Sequence, residues 1–166
     1  MKRRNFLKFG TLLGLSSYIH AEASGTFRKE YAAVAPIIEV VLGHMFPPGS
    51  KIPSAKETNL TQFVYETISH PSYDRDIRAF VVEGAKALDK RTNGTFVALK
   101  HHARERALRA YEQTGYGDNW LGRMMTLGME GLFSDPLYGA NKAASGWKAL
   151  HAYGGQPRPT VRYLGV

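Results

Sequence analysis

The chain has 166 residues, of which 43% are hydrophobic and 22% are charged, as expected for one globular domain with a substantial core. Its formal net charge is +8, but a moderately basic chain does not by itself indicate a nucleic-acid partner. Because the sequence has no cysteine, disulfides, thiolate catalysis and cysteine-bound zinc or iron–sulfur clusters are excluded.

The N-terminus has the pattern of a twin-arginine export signal. Arg3 and Arg4 are followed by Phe6, Leu7 and a lysine, and then by a moderately apolar run over residues 9–19. As a helix rising about 1.5 Å per residue, that run is too short to cross a hydrocarbon core of roughly 30 Å. The pattern therefore predicts export by the twin-arginine translocase, and not a spanning anchor.

Two small residues mark the predicted end of the leader. Ala21 and Ala23 stand at the positions that a signal peptidase reads. We predict a signal peptide over residues 1–23 and one domain over residues 24–166. An uncleaved leader that rests at the membrane is the alternative. Twin-arginine export moves folded proteins, so the signal makes sense if this domain leaves the cytoplasm bound to a folded partner.

Apolar residues at helical spacing predict about five helices in one small, irregular all-α bundle. The first apolar face consists of Phe27, Tyr31, Val34, Ile38, Val41 and Met45. Pro36 interrupts this face, so the main helix is expected to start there, with proline in its first turn. The second face consists of Leu60, Phe63, Val64, Thr67 and Ile68. Asp74 and Asp76 then suit the N-terminus of a third helix, whose inner face consists of Ile77, Phe80, Val81, Gly84 and Leu88.

The last two helices are expected between two breaks in the pattern. Thr95 can cap a fourth helix, with an inner face of Phe96, Leu99, Ala103, Ala107 and Ala110. After a break at residues 115–117, Asp118 or Asn119 can start a fifth helix, with an inner face of Leu121, Met124, Met125, Gly128 and Leu132. Residues 152–166, which are rich in glycine and proline, are expected to form an extended C-terminal arm.

Residues 130–147 are expected to form a rigid bend. Asp135 can cap a first-turn proline, Gly139 allows an unrestricted φ, and Asn141 can cap a short following helix. Tyr138 and Trp147 are large amphipathic groups on this bend, which suits anchors for a partner protein. The alternative is that both rings cover this protein's own core.

The same stretch carries a family resemblance. Phe133-x-Asp135-Pro136-x-Tyr138-Gly139-x-Asn141, followed by Gly146-Trp147, resembles the C-terminal signature of the gluconate 2-dehydrogenase subunit 3 family. Members of that family are small, cofactor-free subunits of flavin-dependent sugar and sugar-acid dehydrogenase complexes. Ala140 stands where the family pattern has a second glycine.

The resemblance implies an accessory, chaperone-like subunit of an oxidoreductase complex that acts on gluconate or a related sugar. Its implied partners are a large subunit of the glucose–methanol–choline type, which holds FAD, and a multihaem cytochrome c subunit, which holds haem c. The complex would be periplasmic and associated with the inner membrane. Phe133, Tyr138 and Trp147 would bury against the large subunit, while Asp135, Gly139 and Asn141 would hold the bend.

No residue pattern indicates catalysis or metal binding in this chain. His101 and His102 are adjacent, so they point about 100° apart on a helix and cannot chelate one ion together. His101 with Glu105 would supply too few ligands for a structural zinc site, and His44 appears isolated. No nucleophile elbow or dinucleotide fingerprint is found. We expect no catalytic residue, no metal and no bound cofactor.

One stretch of the sequence is strongly basic. It comprises Lys90, Arg91, Lys100, Arg104, Arg106 and Arg109. Nucleic acid is not expected as its partner, because an exported protein rarely meets it; an anionic membrane or an acidic protein patch would fit, as would a plain solvated face. Two other functions stay open for the whole chain: a stand-alone periplasmic binding protein or enzyme, and a structural domain tethered to the membrane.

Overall fold

The computed structural model describes residues 25–162. The predicted export signal and its cleavage site lie outside the described residues, so both stay predictions. Every regular element within residues 25–162 is helical and none is a strand. The predicted all-α fold is therefore confirmed. None of the helices in this part of the chain has the length and hydrophobicity needed to cross a membrane.

Helix α1 covers residues 25–45 of the described chain. Its buried residues are Phe27, Tyr31, Val34, Ile37, Ile38, Val41 and Leu42. The prediction that the main helix starts at Pro36 is wrong, because the helix passes through this residue. An interior proline costs about 3 kcal/mol, but Pro36 lies on the exposed face, where water can reach the carbonyl it leaves unpaired. Burial of Ile38 and Val41, at about 1.5–3 kcal/mol each, offsets that cost.

Helices α2 (Leu60–Ser69) and α3 (Arg75–Arg91) have the predicted faces. The buried residues of α2 are Leu60, Val64 and Ile68. Those of α3 are Val81, Val82, Gly84, Ala85 and Leu88. Asp74 is the N-cap of α3, since its Oδ1 accepts the N–H groups of Asp76 and Ile77 at 2.8 and 3.0 Å.

The fourth helical segment differs from the prediction. A 3₁₀ turn, Phe96–Ala98, precedes helix α4 (His101–Glu112), and the extended residues Leu99 and Lys100 separate the two. This break shifts the helical phase. Phe96 is buried and Leu99 and Ala107 pack against the core, as predicted. The buried residues of α4 are Leu108 and Tyr111, whereas Ala110, predicted to face inward, is exposed.

Helix α5 (Gly115–Phe133) starts earlier than predicted. Its N-cap is Thr114, whose Oγ1 accepts the N–H of Gly117 at 2.9 Å. The supposed break at residues 115–117 is thus the first turn of the helix. Met125, predicted to face inward, is 41% exposed. The buried residues of α5 are Gly117, Trp120, Leu121, Met124, Leu127, Gly128, Gly131 and Leu132.

Helix α5 is the centre of the bundle, because it packs against α2, α3 and α4. Trp120 is fully buried, and its Nε1 donates to the Val81 carbonyl of α3 at 3.0 Å. A Cβ atom at Gly84 would lie 1.9 Å from the Trp120 ring, so α3 approaches α5 at a residue without a side chain. The Tyr111 hydroxyl donates to the Gly84 carbonyl at 3.0 Å. These contacts hold α5 in place, and α5 leads directly into the C-terminal bend.

After α5 the chain forms short turns and then an arm. The turns are two 3₁₀ helices, Pro136–Tyr138 and Lys142–Ala144, and they are followed by helix α6 (Ser145–Ala149). We call residues 130–147 the aromatic bend and residues 150–162 the C-terminal arm. The predicted arm began at residue 152, and its described part, residues 152–162, is non-helical, as predicted.

Candidate functional site

The aromatic bend begins with the cap that the sequence predicts. Asp135 Oδ1 accepts the N–H of Leu137 at 2.9 Å, and Pro136 occupies the first position of the short helix. Gly139 ends that helix with a φ of +94°, a conformation that favours glycine. Local backbone preferences therefore set the first half of the bend.

Asn141 joins the two ends of the bend. It is fully buried; its Nδ2 donates to the Ser134 carbonyl at 2.9 Å, and its Oδ1 accepts the N–H of Gly146 at 2.8 Å. The prediction that Asn141 caps the short helix directly after it is wrong, because its side chain forms no capping bond there and its oxygen accepts from Gly146 of α6. Ala140 is buried and does not have a positive φ, so alanine is accommodated without backbone strain where the family pattern has glycine.

The aromatic residues of the bend are partly used inside this chain. Trp147 is half-buried, and its Nε1 donates to the Phe133 carbonyl at 2.8 Å. Phe133 and Tyr138 are also half-buried, and they line a recess of about 480 Å³ together with Phe63 and Tyr73. The structure thus brings all three predicted anchors to the C-terminal end of α5. Their contact with a partner stays a prediction.

The C-terminal arm folds back over the bend, which the sequence did not indicate. Arg158 Nε pairs with Asp135 Oδ2 at 2.6 Å, and its guanidinium carbon lies 4.7 Å from the centre of the Trp147 ring. Arg162 Nε donates to the Leu137 carbonyl at 2.7 Å. The Arg158 guanidinium and the N–H of Leu137 hold the pKa of the Asp135 carboxyl below its ordinary value. Arg158 thus pairs with the one acidic residue that follows Glu130 in the sequence, whereas Arg162 pairs with Glu66 of α2.

The histidine predictions need one correction. His44 is not isolated, because its Nε2 lies 2.5 Å from Glu105 Oε2 and its ring centre lies 4.8 Å from that of His101. Hydrogen bonds from His44 and, to a smaller extent, from Arg109 lower the pKa of the Glu105 carboxyl. Across residues 25–162 no group of three or more His, Asp or Glu side chains has a geometry that could hold a metal ion.

The basic stretch is less basic at the surface than its sequence indicates. The Arg104 guanidinium turns back onto its own chain and donates to the Leu99 carbonyl at 2.9 Å. Arg109 pairs with Glu105 and Glu112 at 2.9 and 3.0 Å. Two of the six predicted cations are therefore engaged within the bundle, which weakens the case for a continuous anion-binding face.

Comparison with known proteins gives one match. Searches of curated proteins and of solved structures find nothing similar. A family model described as gluconate 2-dehydrogenase subunit 3 matches residues 30–155, which include most of α1, all of α2 to α6 and the aromatic bend. The match covers well over half of the chain and agrees with the resemblance carried by the bend. The chain belongs to the gluconate 2-dehydrogenase subunit 3 family.

Proposed function

We infer that this chain is the non-catalytic accessory subunit of a periplasmic, membrane-associated dehydrogenase that oxidises gluconate or a related sugar. The observation that carries this proposal is the family match over residues 30–155. In the proposed complex, a large subunit of the glucose–methanol–choline type holds FAD and removes hydride from the substrate. A multihaem cytochrome c subunit then accepts the electrons.

The accessory chain has two tasks in this proposal. Its N-terminal signal, with Arg3 and Arg4, carries the folded flavoprotein across the membrane. Its aromatic bend, stabilised by Asn141 and by the Trp147–Phe133 hydrogen bond, provides a preorganised surface that stabilises the large subunit. A preorganised surface loses little conformational entropy on binding, which favours a permanent subunit contact.

The test is to purify the tagged full-length chain from the periplasm and to measure the visible absorbance of flavin in the product. We expect a flavoprotein in a fixed ratio to the tagged chain. In a variant with Arg3→Lys and Arg4→Lys, both proteins should stay in the cytoplasm, because export of the flavoprotein depends on this signal. Normal export of the flavoprotein in that variant would contradict the escort role.

A substitution in the bend tests whether it stabilises the large subunit. Loss of a buried aromatic at an interface commonly costs about 2–4 kcal/mol, so Trp147→Ala should lower the yield of flavoprotein strongly. Substrate turnover by the purified chain alone would support a stand-alone enzyme instead. An N-terminal sequence that begins before Ala23 would support a tethered domain.

A further inference from the structure

The C-terminal arm is held on the aromatic bend near both of its ends. At one end Gly154 packs against Trp147 so closely that a Cβ atom there would lie 2.4 Å from the ring. Near the other end Arg158 lies over the same ring, and Arg162 bonds to the Leu137 carbonyl and pairs with Glu66 at 3.3 Å. Trp147 is therefore covered on part of its surface by this chain itself.

The arm exposes apolar side chains that the bundle does not cover. Leu150 is 54% exposed, Tyr153 is 90% exposed and Val161 is 73% exposed. Tyr153 directly precedes Gly154, so the most exposed aromatic ring of the described chain lies where the arm crosses Trp147. Large apolar side chains that stay exposed on a segment held against the bundle suit contact with another molecule.

Most of the arm also leaves its backbone unpaired. The last backbone–backbone hydrogen bond in it runs from the Ala152 N–H to the Trp147 carbonyl, at 2.8 Å. From 153 to 162, no residue forms such a bond with another described residue. A non-helical segment whose backbone groups are unpaired can be recognised by a protein groove that supplies the missing partners. A hydrocarbon layer supplies none, which favours a protein over a membrane as the occupant.

The charge of this region defines the partner further. Residues 136–162 contain four lysine and arginine residues and no carboxylate. Arg158 and Arg162 are paired with acids of the bundle. Lys142 and Lys148 are exposed, and neither pairs with an acid within residues 25–162. The complementary surface is thus an apolar recess with carboxylates at its rim.

We propose that the large flavin-containing subunit binds the C-terminal arm, with Leu150, Tyr153 and Val161 as contact residues. Trp147 supports the arm on the side of the bundle. This inference rests on the proposed function, and it makes Tyr153, and not Trp147, the principal contact residue for the large subunit. The large subunit receives the arm in an apolar recess rimmed by carboxylates.

The test uses the full-length tagged chain expressed together with the large subunit. Tyr153→Asp places a negative charge where the recess is apolar and its rim carries carboxylates, and the exposure of this side chain leaves the fold intact. Tyr116→Asp is the matched control, since Tyr116 is 45% exposed and contacts Phe80 of α3 at a ring-centre distance of 5.2 Å, away from the bend. We expect Tyr153→Asp to weaken binding of the flavoprotein roughly 10- to 30-fold, and the control to change it less than about 2-fold.

The outcomes separate the two proposals. If the wild-type chain binds no flavoprotein, the proposed function and the role of the arm both fail. If Tyr153→Asp binds it as well as wild type, or no worse than Tyr116→Asp, the role of the arm alone is refuted. A third measurement uses vesicles of phosphatidylglycerol: binding that is lost in Tyr153→Asp, with flavoprotein binding unchanged, would make the arm a membrane contact and overturn the proposal.

Discussion

Replacing Gly146 by alanine tests whether close contact between α6 and the end of α5 holds the aromatic bend together. A Cβ atom at this position would lie 2.1 Å from the Leu132 carbonyl oxygen, and real Cβ contacts essentially never fall below 3.0 Å. That oxygen belongs to the backbone of α5 and cannot rotate away. Helix α6 must therefore move, and the hydrogen bond from the Gly146 N–H to Asn141 is weakened with it.

The expected loss of stability follows from three terms. Overpacking costs about 1–3 kcal/mol, and a buried amide oxygen of Asn141 that loses its donor costs about 1–3 kcal/mol more. The better helix propensity of alanine returns about 1 kcal/mol. We expect Gly146→Ala to lower the free energy of unfolding by about 1–5 kcal/mol, with a fall in Tm of roughly 3–5 °C per kcal/mol.

The assay is urea denaturation, with Gly122→Ala as the matched control. Gly122 is also helical, but it is exposed and has no atom within 4 Å of the added Cβ. This control should be stabilised by roughly 0.5–1 kcal/mol, because alanine lowers the backbone entropy of the unfolded chain equally in both variants. Faster hydrogen exchange confined to α6 would indicate local opening of the bend. Equal stability of the two variants would refute the reasoning.

Two further predictions concern ionisable contacts. Burial raises the pKa of Tyr111 from 10 to about 12, so the unfolded chain loses this proton first and the free energy of unfolding should fall as the pH rises from 10 to 12. In urea denaturation, Tyr111→Phe should be less stable than wild type by about 1 kcal/mol at neutral pH, because it loses the hydrogen bond to Gly84. Its free energy of unfolding should also fall less between pH 10 and 12. Parallel plots of this free energy against pH for the two proteins would contradict the prediction. Arg158 lowers the pKa of Asp135, so their contact should hold the arm above the ordinary pKa of 3.8 and weaken as the pH falls below it. Arg158→Ala should speed proteolysis of the arm at neutral pH and remove this acid dependence. Arg158→Lys keeps the charge but not the flat stacking over Trp147, so its rate of proteolysis should lie between those of wild type and the alanine variant. Unchanged proteolysis of the alanine variant would show that the arm is held by other contacts.

The sequence predictions succeed where one apolar stripe extends over several helical turns. The faces of α2 and α3 are as predicted, and that of α1 is correct apart from its start. The errors at Pro36 and at residues 115–117 have a common cause. Proline and glycine disfavour a helix locally. At Pro36, burial of the surrounding apolar face outweighs that preference. At residues 115–117, the close packing of Gly117 against the Tyr111 carbonyl does so.

The bend shows the same division between local and distant contacts. Its caps at Asp135 and Gly139 were predictable, because each depends on neighbours within two or three residues. The salt bridge between Asp135 and Arg158 joins residues 23 positions apart, and no periodic pattern connects them. The arm was therefore predicted to be extended, but its position over Trp147 was not.

By itself, the sequence determined the all-α class, the absence of cysteine chemistry, the turns of the aromatic bend and the family resemblance. Each of these depends on composition or on neighbours along the chain. The tertiary structure alone decided that His44 meets Glu105 and that the arm covers Trp147 while exposing Tyr153. These pairings depend on how the helices pack around α5, and packing brings together residues whose separation in sequence carries no signal.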